Sequence, residues 1–271
     1  METASSIEAR SDAVICVDGI VTSIFKAVTP DISWEAYVGW LTQRRPDLDV
    51  IWLSQPHDWF DILTRRALTY EALVERMVTE TLAKMSSSWK RVVILGFSLG
   101  GLTALRVATE VARLAGGLEL EYVAYVTFGT PFAGTGRHRD ALLKLMPFDY
   151  LGQIFDIEQN QRRLKELLLF AHQGQLRLLF GEIIGDEIVR PESALLPLDW
   201  LTAWQPTGDW KADAFRIKNR GALIRNHDGL LYDSNSIAYI DGLVDGLLPC
   251  CENVSYVPFD VKRWKRYCRS H

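Results

Sequence analysis

A Gly-x-Ser-x-Gly turn, residues 96–100, directly follows the apolar run of residues 92–95. A buried strand that enters such a turn, with a helix behind it, lifts a serine out of a sheet as a nucleophile. The serine must take a strained backbone conformation, and small flanking residues let the strand and the helix close around it. Residues 102–108 have the composition of a helix. The pattern therefore predicts that Ser98 is a nucleophile rather than an ordinary turn serine.

In this context the chain resembles an α/β-hydrolase of the lipase and esterase type, over residues 14 to about 247. A second stretch, residues 129–134, resembles the Gly-Thr-Pro-x-x-Gly segment of lipases and related esterases. It favours this branch over dehalogenases, in which the nucleophile at position 98 would be aspartate. The resemblance implies a mainly parallel sheet flanked by helices, with a catalytic serine, acid and histidine in that chain order.

Apolar runs that alternate with helical patterns predict βαβ units and a parallel sheet. Only about 12 residues precede the first run, so we expect the antiparallel strands that often open this fold to be absent. We predict an α/β-hydrolase fold with a mainly parallel sheet of about six strands. The predicted strands are residues 13–17, 50–53, 91–97, 122–128, 176–180 and 222–224, and helices are predicted from Asp31 or Ser33 to Arg45 and over residues 70–85.

A long insertion follows the Gly-Thr-Pro segment. About 45 residues separate Pro131 from Leu176, which is far more than a simple crossover needs. The insertion contains two helical patterns, at residues 140–146 and 157–171. In the family that the chain resembles, an insertion at this point forms a cap over the active site. We therefore predict a helical lid over residues 134–175 within one domain, residues 1–271.

The bulk composition excludes several classes of function. The net charge of −4 offers no basic field for nucleic acid. The first 12 residues lack the layout of a secretory signal, and no apolar run reaches the roughly 18 residues of a membrane span. The four cysteines have no metal-ligand spacing, so we expect reduced thiols and a cytoplasmic location. No motif for a metal, a phosphate loop or a dinucleotide cofactor is present.

A serine hydroxyl needs a base within hydrogen-bond reach to become a nucleophile. His227 follows the last predicted strand, where the resemblance implies the catalytic histidine. His57 lies after an early strand and could border the site, whereas His138 and His172 fall in the predicted lid and His271 is the last residue. We therefore assign the general base to His227, with a structural loop histidine as the alternative.

The acid of the triad orients the histidine and stabilises the imidazolium. Asp186 follows the strand at residues 176–180 in an Asp-x-Ile-Val stretch that resembles the acid loop of these hydrolases. Glu182 and Glu187 are the local alternatives, and solvated loop charge is the other interpretation. Asp228 adjoins His227, but an adjacent side chain seldom reaches its neighbour's ring correctly, so we give it at most a supporting role.

Two backbone amides are expected to bind the oxyanion. One is the N–H of Leu99, directly after the nucleophile. The resemblance places the other in the loop after the first strand, at Ile20. Lipases commonly have His-Gly in this loop, and here Asp18 replaces the histidine. A carboxylate at this position would oppose a developing oxyanion unless it is neutralised or turned away.

These residues predict a serine hydrolase that cleaves a small-molecule carboxylic ester or other acyl substrate. A thioesterase or an acyltransferase would use the same residues, and a non-catalytic ligand receptor on this fold is the alternative from another class. The basic stretch at residues 261–271 carries five Lys or Arg residues and no acid. We interpret this stretch as a solvated tail or as a cover for a strand edge. The alternative is that it contacts anionic lipid headgroups weakly.

Overall fold

The computed structural model describes residues 10–19, 34–54, 64, 68–115, 119–134, 156–170, 175–186, 189–195, 210–217 and 234–248. Strands and helices alternate along these segments. The strands are β1 (Asp12–Val17), β2 (Leu48–Leu53), β3 (Arg91–Phe97), β4 (Tyr122–Phe128), β5 (Gln175–Ile183) and β6 (Trp210–Ile217). The helices are α1 (Trp34–Arg44), α2 (Tyr70–Lys84), α3 (Leu99–Ala115), α4 (Ile157–Phe170), α5 (Pro191–Ala194) and α6 (Ser234–Leu247).

The described strands form one six-stranded sheet in the order β2-β1-β3-β4-β5-β6. Every pairing is parallel, which confirms the predicted α/β architecture. The chain leaves β1 toward β2 on one side and then returns to β3 on the other side of β1. The connections after β1 and β3 therefore diverge, and ligands of open α/β sheets bind at the carboxyl ends of strands at such a switch point.

Both faces of the sheet are covered by helices. Successive residues of a strand point to opposite faces, and buried strands in such a sandwich are apolar on both. The two buried clusters follow this alternation, since Ile15 and Ile94 belong to one and Val14 and Val93 to the other. Helices α2, α3 and α4 contribute to the first cluster, and α1 and α6 contribute to the second.

The strand β6 was not predicted at its observed position. It reads Trp-Lys-Ala-Asp-Ala-Phe-Arg-Ile, so charged residues interrupt the apolar run by which the other strands were recognised. It lies at one end of the described sheet, and strands at sheet edges commonly carry charged side chains. The strand predicted at residues 222–224 lies outside the described residues.

Helix α4 packs into the core rather than standing apart from it. Leu164, Leu167 and Leu168 are buried in the same cluster as α3. Arg163 reaches Glu71 of α2 at 2.8 Å, so α4 is tied to that helix as well. The described helix of the predicted lid region is therefore part of the crossover between β4 and β5. The lid over residues 134–175 stays a prediction, because residues 135–155 and 171–174 lie outside the described part.

Among the described helices, none combines the length and the apolar character that a membrane span requires.

Two leucines of α4 test this placement because they are two residues apart and differ in burial. Leu167 is fully buried, whereas Leu169 is 47% exposed. Leu167→Ala should lower the free energy of unfolding by about 2–5 kcal/mol, since it removes a core side chain and leaves a cavity. Leu169→Ala should change it by no more than about 0.5 kcal/mol. Urea unfolding measures both, and equal small effects would show that α4 is not a core helix.

Candidate active site

Ser98 occupies the turn between β3 and α3 with a strained backbone. Its φ is 52°, and it is the one non-glycine residue with a positive φ among the described residues. Such a conformation is costly and persists where surrounding contacts hold it. The Ser98 N–H donates to the carbonyl of Phe128 at 2.8 Å, and its own carbonyl accepts from Gly101 N–H at 3.0 Å. The predicted strand, turn and helix are therefore present, with Ser98 half-buried at the carboxyl end of β3.

The glycines of the turn are required because backbone segments approach each other closely. A Cβ on Gly96 would lie 2.5 Å from the Cα of Gly101, so strand and helix could not pack as they do. A Cβ on Gly100 would lie 2.1 Å from the carbonyl oxygen of Asp18. Real Cβ atoms do not approach other atoms this closely, and a backbone carbonyl cannot rotate away as a side chain can.

The loop after β1 lies directly against the turn that carries Ser98. A Cβ on Gly19 would lie 3.0 Å from the Cβ of Ser98 and 3.2 Å from the carbonyl oxygen of Phe97. This is the proximity that an oxyanion loop needs. Leu99 is the first residue of α3, where helix N–H groups have no partner within the helix and the dipole favours negative charge. Ile20 lies outside the described residues.

Asp18 is buried beside this loop, with 1% of its surface exposed. Burial raises the pKa of the neighbouring Cys16 thiol far above its usual range, and the negative charge of Asp18 raises it further. Cys16 therefore remains a neutral thiol and is not a competing nucleophile, since the thiolate is the reactive form. The substitution of aspartate for the expected histidine thus places a carboxylate inside the protein, directly after the strand next to β3.

Asp186 lies at the same edge of the sheet as Ser98, two strands away. It follows the carboxyl end of β5, and its N–H donates to the carbonyl of Ile183 at 3.1 Å. Its Oδ1 accepts a hydrogen bond from Val189 N–H at 2.9 Å, so the side chain closes a turn. The alternative acid Glu182 is a residue of β5 itself and is buried. Glu187 lies outside the described residues.

The described residues include none of the five histidines of the chain. The histidines outside them are His227, His57, His138, His172 and His271, and Asp228 also lies outside. Along the chain, His227 falls between the carboxyl end of β6 at Ile217 and the start of α6 at Ser234. Since β6 pairs with β5 in parallel, this connection leaves the sheet at the edge that carries Asp186 and Ser98. The triad as a whole stays a prediction.

The Gly-Thr-Pro turn, residues 129–134, has a packing role that the sequence did not reveal. Thr130 fills the space left by the missing side chain of Gly101, because a Cβ there would lie 1.9 Å from Thr130 Oγ1. The Tyr125 hydroxyl donates to the Gly101 carbonyl at 2.7 Å, and burial raises the pKa of this phenol, so it stays a donor. In the sequence this motif served only as a family marker, whereas in the structure its contacts support the helix behind Ser98.

The described segments contain no group of three or more His, Cys, Asp or Glu residues that could hold a metal ion. The absence of a cofactor stays a prediction.

Part of the chain is similar to a family of serine esterases. Residues 54–187 match the model of a family described as "Putative serine esterase (DUF676)". This range includes the turn with Ser98 and the loop with Asp186. No curated protein matches the chain significantly.

Solved structures share the architecture at low sequence identity. A structure of the metagenome-derived lipolytic enzymes LipS and LipT matches with a TM-score of 0.50 and 10% identity, over 88% of this chain and 94% of that chain. The RedJ thioesterase of Streptomyces coelicolor matches with a TM-score of 0.44 and 15% identity, over 91% and 97%. A Pyrococcus furiosus esterase matches with a TM-score of 0.42 and 13% identity, over 88% and 82%. The first of these supports the fold described above.

The contact between Gly100 and Asp18 generates a prediction. Gly100→Ala should destabilise the protein by at least about 3 kcal/mol, the upper end of the usual cost of overpacking, because the added methyl meets a backbone carbonyl. Gly39→Ala is the matched control, since Gly39 lies in α1 with nothing within 4 Å of an added Cβ. The control should gain about 0.5–1 kcal/mol from helix propensity. Urea unfolding would contradict the close approach if both variants were at least as stable as the wild type.

Proposed function

We propose that the chain is a serine hydrolase that cleaves a carboxylic ester through an acyl-enzyme on Ser98. The match of residues 54–187 to a family described as serine esterases supports this proposal, as does the α/β-hydrolase fold shared with a lipolytic enzyme. The observation that carries the proposal is the strained turn at Ser98 with the loop after β1 packed against it. A turn serine without a catalytic role has no need of a positive φ or of glycines at 96 and 100.

In the proposed reaction the Ser98 hydroxyl attacks the ester carbonyl carbon and gives its proton to His227. The tetrahedral intermediate carries its negative charge on the former carbonyl oxygen, which the amides of Leu99 and Ile20 bind. As the intermediate collapses, the C–O bond to the alcohol breaks and His227 protonates that alcohol. Water, activated by the same histidine, then releases the acid and restores Ser98. Asp186 holds the imidazole in the correct tautomer throughout.

The start of α3 supports the oxyanion electrostatically. Leu99 is the first helical residue, and the partial positive charge of a helix N-terminus is stabilising for an anion placed there. One oxyanion donor is typically worth about 3 kcal/mol of transition-state stabilisation. Asp18 opposes this field, so the proposal requires that its carboxylate be turned away from the oxyanion, while its backbone carbonyl contacts Gly100.

Three further features stay predictions from the sequence. The substrate is expected to be a small ester or other acyl compound, covered by the lid predicted over residues 134–175. The location is expected to be cytoplasmic, and residues 261–271 are expected at most to contact anionic lipid headgroups weakly.

A fluorophosphonate probe tests whether Ser98 is the nucleophile. The wild type should gain one probe mass on the peptide that contains Ser98, because only an activated serine attacks phosphorus at a useful rate. Ser98→Ala should not be labelled. Intact-protein and peptide mass spectrometry measure both. Folded wild type that takes no probe, or that is labelled equally after the substitution, would favour a non-catalytic receptor.

Asp186 has a matched control in Asp156. Each carboxylate accepts a hydrogen bond from the N–H three residues later, at 2.9 Å in both cases. Asp186→Asn should lower kcat for an activated ester about 10⁴-fold, the usual effect of replacing the triad acid by its amide. Asp156→Asn should leave kcat unchanged, because it caps α4 only. If kcat were similar in the two variants, Asp186 would have a local structural role and Glu182 or Glu187 would become the candidate acid.

A further inference from the structure

We propose that Ser193 is a positioning residue whose hydroxyl fixes the acid loop relative to the turn that carries the nucleophile. The acid loop is defined here as residues 184–186 and 189–190. The inference rests on the proposed function, since it assigns Ser193 an effect that is exerted through Asp186. Ser193 does not itself contact the reacting atoms.

The Ser193 hydroxyl both donates to and accepts from backbone groups of the Gly-Thr-Pro turn. It donates to the carbonyl of Gly134 at 2.7 Å and accepts from Ala133 N–H at 2.9 Å. The Ser193 carbonyl accepts a third hydrogen bond, from Phe132 N–H at 3.3 Å. The residue is 4% exposed. A nucleophilic serine must give its proton to a base, and this one donates to a carbonyl instead, so it is not a second nucleophile.

Two hydrogen bonds, joined by the peptide bond between Val189 and Arg190, connect Ser193 to Asp186. The Asp186 carboxylate accepts from Val189 N–H, and the carbonyl of Arg190 accepts from the N–H of Ser193 at 2.9 Å. The segment between them is short, and its end is the single turn α5. Displacement of Ser193 would therefore be transmitted to the carboxylate of Asp186.

The other side of the Ser193 contacts leads to the nucleophile. The Gly-Thr-Pro turn contacts α3 through Thr130, which is packed against Gly101. The same turn begins one residue after Phe128, whose carbonyl holds the N–H of Ser98. Gly129 N–H donates to the carbonyl of Gly181 at 2.9 Å, so the turn is also tied to β5. The turn is thus fixed relative to Ser98, and Ser193 fixes the acid loop to the turn.

This link matters because Asp186 and Ser98 lie on different connections of the sheet. Strand pairing places the ends of β3 and β5 accurately, but Asp186 lies three residues beyond the last residue of β5. A shift of about 1 Å in a catalytic group can cost on the order of 10²-fold in rate. Loss of the Ser193 hydroxyl would leave Ala133 N–H and Gly134 C=O without that partner, and buried groups in this state favour rearrangement of the loop.

The rate of fluorophosphonate labelling of Ser98 tests the proposal without requiring turnover. Ser193→Ala should slow labelling by about 10- to 100-fold, the loss expected from a small displacement of a catalytic group. Thr81→Val is the matched control. It removes a buried hydroxyl that donates to a backbone carbonyl at 2.8 Å near the end of α2, remote from this loop in sequence. The control should label within about twofold of the wild type, since its contacts are local to α2.

A double-mutant cycle separates positioning from a merely structural effect. If Ser193 acts through Asp186, then Ser193→Ala should slow labelling no further once Asp186→Asn is present, because the group it positions has already been lost. Additive effects of the two substitutions would overturn the proposal. So would a labelling rate of folded Ser193→Ala equal to that of the wild type.

Labelling of the wild type separates a failure of the Ser193 proposal from a failure of the proposed function. If the wild type itself were not labelled at Ser98, the proposed function would fail, and with it the premise of this inference. If the wild type is labelled normally, only the Ser193 variants decide. Circular dichroism checks folding, and if Ser193→Ala does not fold, Ser193→Cys takes its place. The sulfur is a weaker hydrogen-bonding group, so slower labelling supports the proposal and an unchanged rate overturns it.

Discussion

The approach of Gly100 to the backbone carbonyl of Asp18 sets the geometry on which the candidate site depends. A methyl group could not fit between them, so the start of α3 and the end of β1 lie in direct backbone contact. This contact places the loop after β1 beside Ser98. It is possible because β1 and β3 are adjacent parallel strands whose connections leave in opposite directions. The sheet topology therefore separates the two connections at this point, and Gly100 allows the loop after β1 to approach the turn at Ser98 closely.

The remaining parts of the site are distributed along the same edge of the sheet. The register aligns Val17, Gly96, Thr127 and Phe180 across four neighbouring strands, so the connections that follow them begin side by side. Strand pairing supplies this alignment, and hydrogen bonds between the connections refine it. The hydrogen bonds between Ser193 and the Gly-Thr-Pro turn are of this second kind, which joins connections rather than strands. Their contacts involve backbone groups for the most part, which sequence patterns do not record.

The sequence predicted the parts of the fold that depend on local pattern. Strands β1 to β5 and helices α1 to α4 were found because buried parallel strands are apolar runs and helices that pack on them are amphipathic. The turn at Ser98 was found because its chemistry demands glycine at fixed positions. Helix α6 was not identified, although Ile240, Leu243, Val244 and Leu247 have helical spacing and are buried.

Other features depend on tertiary contacts and could not be predicted in this way. The charged residues of β6 conceal a strand that is recognised by its pairing with β5. The core position of α4 depends on the helix that it meets, since an amphipathic pattern is the same for a lid and for a crossover. The proposed role of Ser193 depends on the Ala133 N–H and the Gly134 carbonyl, which lie about 60 residues earlier in the chain. The motif residues were therefore accessible to sequence reasoning, whereas their supports were not.

The proposed mechanism requires Ser98, Asp186 and His227 to meet in one proton relay at the carboxyl edge of the sheet. The distance between His227 Nε2 and Ser98 Oγ in a crystal structure of the protein tests this most directly. The account predicts about 2.6–3.2 Å, with the Asp186 carboxylate at a similar distance from the other ring nitrogen. A different histidine beside Ser98, or an imidazole of His227 far outside this range, would contradict it.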